Sequence, residues 1–361
     1  MARRTSNDDR RAAKQQAQLS ASGPSVVAAF DKFRLTASAP ALCAAVGDAA
    51  WERSWSCHQL PMADGGEGSL EVLATLGGVI QTTTVSGPLG DPVQAAWLLR
   101  GKTAFIEMAK ASGLALVGGP DGNRALDAST AGTGELMVAA LGAGAKRIVV
   151  TVGGSATTDG GFGALRALEP LPRFRGIDLV VACDVETTFI DAAADFGPQK
   201  GATPAEVNLL RRRLERLAAI YAEERNVDVR EIAGSGAAGG LAGGLLSLGA
   251  RIESGFSLIA DEVNLQEAIA SATLVLTGEG RLDDESFNGK VVGGVCALAR
   301  DAGVPVVIIC GAVDIDFVVP AVFVGTVREI ISLSDRYGVE RAWEETVGLV
   351  RDEALRILLS S

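Results

Sequence analysis

The spacing of apolar and polar residues at the start of the chain predicts strands that alternate with helices. The predicted elements are a strand at residues 25–30, a helix at 39–50, a strand at 56–62 and a helix at 67–76. Gly77 and Gly78 end the second helix, because glycine readily takes the left-handed conformation that closes a helix. A βαβα order of this kind is typical of a parallel sheet with helices on its faces.

The pattern changes in the middle of the chain. Residues 81–85, 93–99 and 103–108 alternate as short strands with short connections, which indicates an antiparallel meander. Two apolar runs, at 147–152 and 179–183, predict buried strands further along. A sheet that contains all of these strands would be mixed in direction.

In the middle and last regions of the chain, helices are predicted from the spacing of apolar residues and from residues typical of helix N-termini. Thr203, Pro204 and Glu206 occupy the N-cap, N1 and N3 positions of a helix. The remaining predicted elements are a helix at 132–141, a strand at 274–277, a helix at 289–302, a strand at 304–310 and a closing helix at 342–359. From residue 273 onward the chain therefore returns to the βα order of its start.

These elements predict an α/β protein with two domains. The first is a Rossmann-like parallel α/β/α domain built from both chain ends, at residues 24–79 and 262–361. The second, at residues 80–261, is an inserted α/β domain with a mixed sheet. Residues 1–23 contain clustered arginines without an apolar segment, and we predict a disordered tail there.

Charge and composition exclude several classes of partner. The 361-residue chain has a net charge of −11. Its surface should repel nucleic acid and anionic lipid, so we expect neither nucleic acid nor a membrane as partner. Five scattered cysteines without a signal peptide predict reduced thiols and a cytoplasmic location. The sequence is also compatible with a homodimer.

A single histidine, His58, limits the available chemistry. One imidazole cannot build a multi-histidine zinc site, and the place of His58 in a strand pattern favours a structural role over a catalytic one. The chemistry should therefore depend on carboxylates, lysine, arginine and hydroxyl groups.

Four loops combine clustered glycines with carboxylates, and two of them also contain a lysine. They lie at residues 61–68, 152–161, 183–202 and 277–290. Glycine lets backbone amides approach a ligand, carboxylates bind Mg²⁺ or accept a proton, and lysine or arginine neutralises phosphate. This combination predicts a site for a small, phosphorylated, metal-bound anion. A tight turn or a surface salt bridge is the simpler alternative for each loop taken alone.

A further glycine motif, GxGxxG at residues 234–239, is weak as a nucleotide signal. It lies in mid-chain after a doubtful strand, and no acidic residue completes a βαβ unit. We interpret it as a glycine-rich helix start that could accept an anion. A dehydrogenase that binds NAD through this motif is a weaker alternative.

Taken together, these motifs resemble those of the glycerate kinase family of the bacterial ATP-dependent D-glycerate 2-kinase type. The resemblance runs from about Val26 to about Gly311. The matching segments are AFDKFRLTASA at 29–39, DGGEGS at 64–69, GTGEL at 132–136, GGSATTDGG at 153–161, FGPQKGAT at 196–203, GAAGGLAG at 236–243 and TGEGRLDDESFNGK at 277–290. Such an ordered series is far more specific than any single glycine motif.

The resemblance implies ATP- and Mg-dependent phosphorylation of D-glycerate, with 2-phosphoglycerate as product. The expected catalytic residues are Asp64, Asp159, Asp184, Arg34, Lys200 and Lys290. Of the carboxylates, Asp159 and Asp184 are expected to bind the metal, and the basic residues, with Arg281, to receive the substrate carboxylate and the phosphates. The expected binding residues are Asp31, Gly65, Gly66, Glu67, Gly153, Gly154, Ser155, Thr157, Glu279, Arg281 and Asp283.

Several positions depart from the family pattern. Leu35 replaces a glycine, Thr158 replaces an asparagine and Glu285 replaces a glutamine. Residues 186–188, Glu-Thr-Thr, replace an Asn-Pro pair. These changes leave two alternatives open, namely a kinase for a related small hydroxy acid and a non-catalytic metabolite-binding member of the same fold.

Overall fold

The computed structural model describes residues 23–359, which form two compact units. Unit 1 takes the chain up to Met62 and from Ala260 onward, and unit 2 is Ala63–Ile259. The predicted tail, residues 1–23, lies outside the described residues except for Gly23.

Unit 1 contains a five-stranded sheet among the described residues, and all of its neighbouring strands are parallel. Its strands are β1 (Ser25–Phe30), β2 (Ser56–Gln59), β9 (Leu274–Gly278), β11 (Val306–Cys310) and β13 (Val327–Ser332). They lie in the order β13-β11-β9-β1-β2. Two short strands, β10 (Arg281–Leu282) and β12 (Ala312–Val313), pair separately with each other. Strand β1 is buried at every position, as expected when helices cover both faces of a parallel sheet. His58 lies exposed on the edge strand β2, paired with Val27.

The helices of unit 1 pack on this sheet through apolar side chains. They are α1 (Ala39–Glu52), α10 (Leu265–Ala270), α11 (Val291–Ala302), α12 (Leu333–Tyr337), α13 (Val339–Glu344) and α14 (Thr346–Leu359). Helices α1 and α14 share one core with alternate residues of β1, such as Val26 and Phe30. Helix α11 contacts β1, β9 and β11. The predicted Rossmann-like parallel α/β/α unit, built from both ends of the chain, is confirmed.

Unit 2 contains a mixed sheet, as predicted, and this sheet has six strands among the described residues. Its strands are β3 (Val79–Ser86), β4 (Pro92–Arg100), β5 (Thr103–Glu107), β6 (Arg147–Thr151), β7 (Asp178–Ala182) and β8 (Arg251–Glu253), in sequential order. Strands β3 to β5 are antiparallel, and β5 to β8 are parallel. The carboxyl ends of four strands therefore lie along one edge, where α/β proteins bind ligands.

Two apolar cores support the helices of unit 2. The helices are α2 (Ser69–Ala74), α3 (Ala109–Ser112), α4 (Ala131–Gly142), α5 (Phe162–Ala167), α6 (Ala192–Phe196), α7 (Pro204–Arg225), α8 (Ala237–Leu246) and α9 (Gly255–Glu262), the last of which crosses into unit 1. The larger core lies on the sheet, and the smaller one lies under α7 around Phe189 and Tyr221. Helix α7 begins with the predicted capping box between Thr203 and Glu206.

The division between the units differs from the predicted boundaries at residues 79/80 and 261/262. The chain enters unit 2 between Met62 and Ala63, so α2 and the loop before it belong to unit 2. Helix α2 contacts β4 and β5, and the amides of Gly68 and Leu70 donate to the carboxylate of Glu107 at the end of β5. In the sequence, the strand at 56–62, its loop and the following helix form one continuous pattern. These contacts instead hold the loop and helix α2 against the sheet of unit 2.

Two further predictions fail in detail. The closing helix is interrupted after Glu344, so that α13 and α14 are separate. The GxGxxG stretch does not begin a regular helix, because Ala238, Gly239 and Gly240 all have positive φ, at 52°, 68° and 89°. The carbonyl of Gly239 accepts from the Gly160 amide, so this stretch supports the loop before α5.

No helix within residues 23–359 is both long enough and apolar enough to cross a lipid bilayer.

Candidate functional site

Three loops of unit 2 meet at the carboxyl edge of its sheet: the loop Asp64–Gly68, the loop at 152–161 and the loop that contains Asp184. The acidic loop, Asp64–Gly68, is held there by Glu107, a side chain only 2% exposed. One oxygen of Glu107 accepts from the amides of Gly68 at 3.1 Å and Leu70 at 3.2 Å. Glu107 was missed in the sequence, although an acidic residue that ends an apolar strand is a usable signal.

Glycines in these loops allow backbone to pack against backbone. A Cβ built on Gly65 would lie 2.8 Å from the Cα of Gly255, and one on Gly153 would lie 2.9 Å from the Cα of Gly66. Real Cβ atoms do not approach so closely, so any larger residue would separate the loops. The structure thus gives these predicted binding glycines a packing role, and Glu67 and Gly154 lie exposed beside them.

Asp184 follows β7 and faces the acidic loop. Its two oxygens accept from the amides of Gly255 at 2.8 Å and Phe256 at 3.0 Å. Burial raises the pKa of Asp184, and the negative charge of Asp64 adds to the rise. Asp64 accepts from its own loop through the Gly66 amide at 3.0 Å. Asp64 and Asp184 therefore form a pair of neighbouring carboxylates.

Asp159, by contrast, is committed to the protein itself. Its oxygens accept from the amides of Thr130, Gly161 and Gly163 and from the Thr130 hydroxyl, at 2.9 to 3.1 Å. The Thr130 hydroxyl in turn accepts from the Ala164 amide at 3.0 Å. Asp159 thus joins the starts of α4 and α5. The structure does not support the expected metal-binding role of Asp159, because its acceptor positions are already occupied.

Thr130 was not predicted as part of this network. It stands just before a predicted helix and has the residue type of an N-cap, which was the available signal. Its side chain does not cap that helix and bonds to Asp159 instead.

Lys200 is also directed into the protein. The side chain is 3% exposed, and its Nζ donates to the carbonyl of Thr157 at 2.6 Å and lies 5.7 Å from the ring centroid of Phe196. Burial lowers the pKa of Lys200 to about 7, against the opposing charge of Asp159. The structure therefore places this lysine behind the glycine-rich loop, not in an open phosphate site.

Ser155 and Thr157 lie in the same buried layer. They are 7% and 0% exposed, and the Thr157 hydroxyl donates to the carbonyl of Ala238 at 3.4 Å. Earlier in this loop, Gly153 is half-buried and Gly154 is exposed, beside the acidic pair.

Unit 1 gathers a second set of predicted residues at the ends of β1 and β9. Phe30 pairs with Gly278, and the Asp31 amide donates to the Gly278 carbonyl at 3.0 Å. Burial raises the pKa of Glu279 to about 7. The hydrogen bond from Ser286 and the charge of Lys290 oppose this rise, whereas the negative charges of Asp31 and Asp283 add to it. The Oε1 atom of Glu279 is buried without a hydrogen-bond partner in the described chain.

The basic residues of unit 1 differ in their pairing. Lys290 lies 3.0 Å from Glu285, and Arg281 forms an ion pair with Asp314. Burial lowers the pKa of Lys290, but the hydrogen bond to Glu285 together with the negative charges of Glu285, Asp283 and Glu279 outweighs this, and the pKa is raised. Arg34 lies exposed at the tip of the loop after β1.

Asp283 has a local structural role in this unit. Its carboxylate accepts from the Ser286 amide at 3.0 Å, which caps the short helix that follows.

Next to Arg34 in the chain, Leu35 takes φ +69° with 86% of its surface exposed, at the position where the family pattern has glycine.

Within residues 23–359, no group of three or more His, Cys, Asp or Glu side chains is arranged to hold a metal ion. A pair of carboxylates is nevertheless compatible with Mg²⁺, which usually takes one or two protein carboxylates and keeps waters or substrate oxygens in its other positions. Asp64 and Asp184 fit that requirement, since Gly255 donates its amide to Asp184 and lies against the Asp64 carbonyl.

These loops lie at the carboxyl ends of parallel strands in each unit, and comparison with known proteins shows that the chain is a kinase and gives its family. The family model described as "Glycerate kinase family" matches residues 26–171 and 169–359. The chain belongs to the glycerate kinase family.

Two relatives and one solved structure illustrate the similarity. Glycerate 2-kinase of Escherichia coli is 40% identical over 293 residues, covering 71% of this chain and 76% of its own. Glycerate kinase of Halalkalibacterium halodurans is 38% identical over 338 residues, covering 84% and 88%. A crystal structure assigned to glycerate kinase 2 of Salmonella typhimurium LT2 has a TM-score of 0.78 at 33% identity, covering 94% of this chain and 99% of that one.

Proposed function

We propose that this kinase transfers the γ-phosphate of ATP to D-glycerate in the presence of Mg²⁺ and forms 2-phosphoglycerate. The observation that carries the proposal is the pair of neighbouring carboxylates, Asp64 and Asp184, beside the turn at Gly153 and Gly154. Family membership and the named E. coli relative support glycerate as the acceptor.

In this proposal, Asp64 and Asp184 hold the divalent cation, which would neutralise phosphate charge when bound. The acidic surface of the chain makes such local neutralisation necessary, because the net charge is −11. Asp159 and Lys200 are assigned to supporting the loop that lies next to the cation site, since both are already bonded within unit 2.

In unit 1, we assign anion binding to Arg34 and Lys290, and proton acceptance to Glu279. A carboxylate with a pKa of about 7 exchanges a proton near neutral pH, which suits a general base for an alcohol. Glu285 reduces the charge that Lys290 presents, and in the family pattern a neutral glutamine stands there.

The test is an ADP-release assay with D-glycerate, with and without Mg²⁺, followed by identification of the product by phosphorus NMR. We expect activity that requires Mg²⁺ and a product phosphorylated at the 2-position. Asp184→Asn should lower kcat by about 10²-fold or more, because a charged ligand of the cation is lost. The exposed residue Asp121 provides a control, and Asp121→Asn should retain activity.

The alternatives have distinct outcomes in the same assay. Faster turnover on glycolate, lactate or a sugar acid than on D-glycerate would indicate a kinase for another hydroxy acid. Thermal stabilisation by D-glycerate without ADP release would indicate a metabolite-binding protein. A 3-phosphoglycerate product would contradict the proposed position of transfer.

A further inference from the structure

A cavity of about 480 Å³ lies within unit 2, on the side of the glycine-rich loop that faces helix α7. Its volume is within the range of sites that hold small-molecule ligands. The residues that matter for its chemistry are Leu126, Phe162, Leu217, Ile220, Arg213 and Arg216. The cavity thus combines an apolar wall with two cationic side chains and two carboxylates, those of Asp127 and Asp159.

The apolar wall includes an aromatic ring that the fold leaves half uncovered. Phe162 opens α5, and 48% of its surface is exposed, although only 5% of the chain is aromatic. The Arg166 guanidinium lies 5.9 Å from the centroid of this ring. A partly covered aromatic ring beside leucine and isoleucine suits a planar, weakly polar body such as a nucleobase, which gains by stacking.

The two arginines bring positive charge to a cavity that Asp127 and Asp159 also line; Asp127 is already paired with Arg124 at 3.3 Å, and Asp159 accepts from Thr130 and Gly163. Arg213 and Arg216 are three residues apart on α7 and therefore lie on the same side of that helix. Arg213 is fixed through its donation to the Leu126 carbonyl at 2.7 Å. Arg216 is exposed on the same helix. Guanidinium groups in this arrangement suit phosphate or carboxylate oxygens.

Thr158 adds a polar group to the same wall. It is 1% exposed, and its hydroxyl has no hydrogen-bond partner in the described part of the chain. A buried hydroxyl without a partner is unfavourable, so ligand atoms or bound water that reached it would be favoured. Thr158 also occupies a position where the family pattern has asparagine.

We infer that this cavity binds a nucleotide, with the base against Phe162 and Leu217 and the phosphates at Arg213 and Arg216. The inference rests on the proposed function only where it takes the bound nucleotide to be the phosphate donor. A regulatory nucleotide would bind through the same contacts, and kinetic measurements distinguish the phosphate donor from a regulator.

The first measurement is titration of the full chain with ATP that carries a fluorescent N-methylanthraniloyl group. Phe162→Ala and Arg216→Gln should each raise Kd by about tenfold, the usual effect of losing one stacked base or one phosphate contact. Arg212→Gln is the matched control, because Arg212 is exposed on the same helix and does not line the cavity. It should change Kd by less than about twofold, as exposed charges contribute little.

Steady-state kinetics then distinguish the sources. A co-substrate site predicts that Phe162→Ala raises KM for ATP and leaves KM for D-glycerate unchanged. A regulatory site predicts weaker fluorescent binding with KM for ATP unchanged. Either result supports nucleotide binding in the cavity.

Unchanged Kd and KM in both cavity variants, with a wild type that phosphorylates D-glycerate, would overturn this inference alone. Cavity-dependent nucleotide binding in a wild type that does not phosphorylate D-glycerate would overturn the proposed function alone. Because Phe162 contributes to packing, circular dichroism should verify its variant, and Arg216→Gln decides the question if that variant does not fold.

Discussion

Two loops that both combine glycines with carboxylates differ in how their carboxylates are hydrogen-bonded. The loop at 152–161 in unit 2 turns its carboxylate inward, where Asp159 accepts hydrogen bonds from Thr130 and the start of α5. The loop at 277–290 in unit 1 leaves Glu279 with a buried oxygen that has no partner in the described chain, and its lysine forms an ion pair near the surface. Residue type therefore does not distinguish these two carboxylates, whereas the number of occupied acceptor positions does.

The largest expected effect is on turnover, from Glu279→Gln. Loss of a positioned base should reduce kcat by about 10²–10⁴-fold. In the wild type the base must be deprotonated, so kcat should rise with pH as it passes through the Glu279 pKa of about 7. The variant should lose that rise. A pH profile that is unchanged in Glu279→Gln would show that another group is responsible.

Asp159→Asn should affect folding more than the 277–290 loop variants do. The amide nitrogen cannot accept from the Thr130 and glycine donors, and stranding buried donors of a charged acceptor costs about 3 kcal/mol. Urea unfolding should show this loss, with Asp121→Asn unchanged as the exposed control. Loss of turnover at full stability would instead support the catalytic role expected from the sequence.

Lys200→Met should alter how stability depends on pH. The folded pKa is about 7 and the ordinary value is 10.5, so between these values the unfolded chain binds a proton that the folded chain does not. The free energy of unfolding should therefore rise with pH across this window, by up to about 1.4 kcal/mol per pH unit. Lys200→Met should lack this slope, and Lys146→Met, at an exposed position, should retain it. Equal slopes in all three proteins would mean that Lys200 stays protonated.

The smallest expected effect is at Leu35, in the loop after β1 of unit 1. A left-handed conformation costs a leucine about 1–2 kcal/mol, and glycine loses part of that gain through a freer unfolded chain. Leu35→Gly should thus raise the free energy of unfolding by up to about 1 kcal/mol. Leu35→Ala retains the conformation and should show no gain. Identical stabilities of the two variants would rule out backbone strain as the cause.

Most of the fold could be predicted because local patterns and long-range pairing agree. Apolar runs such as β1 and β11 are buried on both faces, and the capping box at Thr203 and Glu206 marks the start of α7 directly. The exchange of α2 to unit 2 could not be predicted, since it depends on Glu107, which is distant in sequence from Gly68.

The site was predictable only to the level of loops. The motifs predicted which segments would carry the chemistry, and of their carboxylates Asp64 and Asp184 do lie together. The inward direction of Asp159 and Lys200 depends on Thr130 and on the Thr157 carbonyl, neither of which has a distinctive motif. The cavity beside Phe162 arises from packing of α7 on the loop and has no sequence signature.

The inserted segment begins and ends almost at the same point. A Cβ on Gly255, near its last residues, would lie 2.1 Å from the carbonyl oxygen of Asp64, near its first. A short peptide could therefore join residues 63 and 259 into a closed ring without stretching either end. An ion bound by both Asp64 and Asp184 would hold the two ends of the inserted segment together, so added Mg²⁺ should protect these ends from proteolysis.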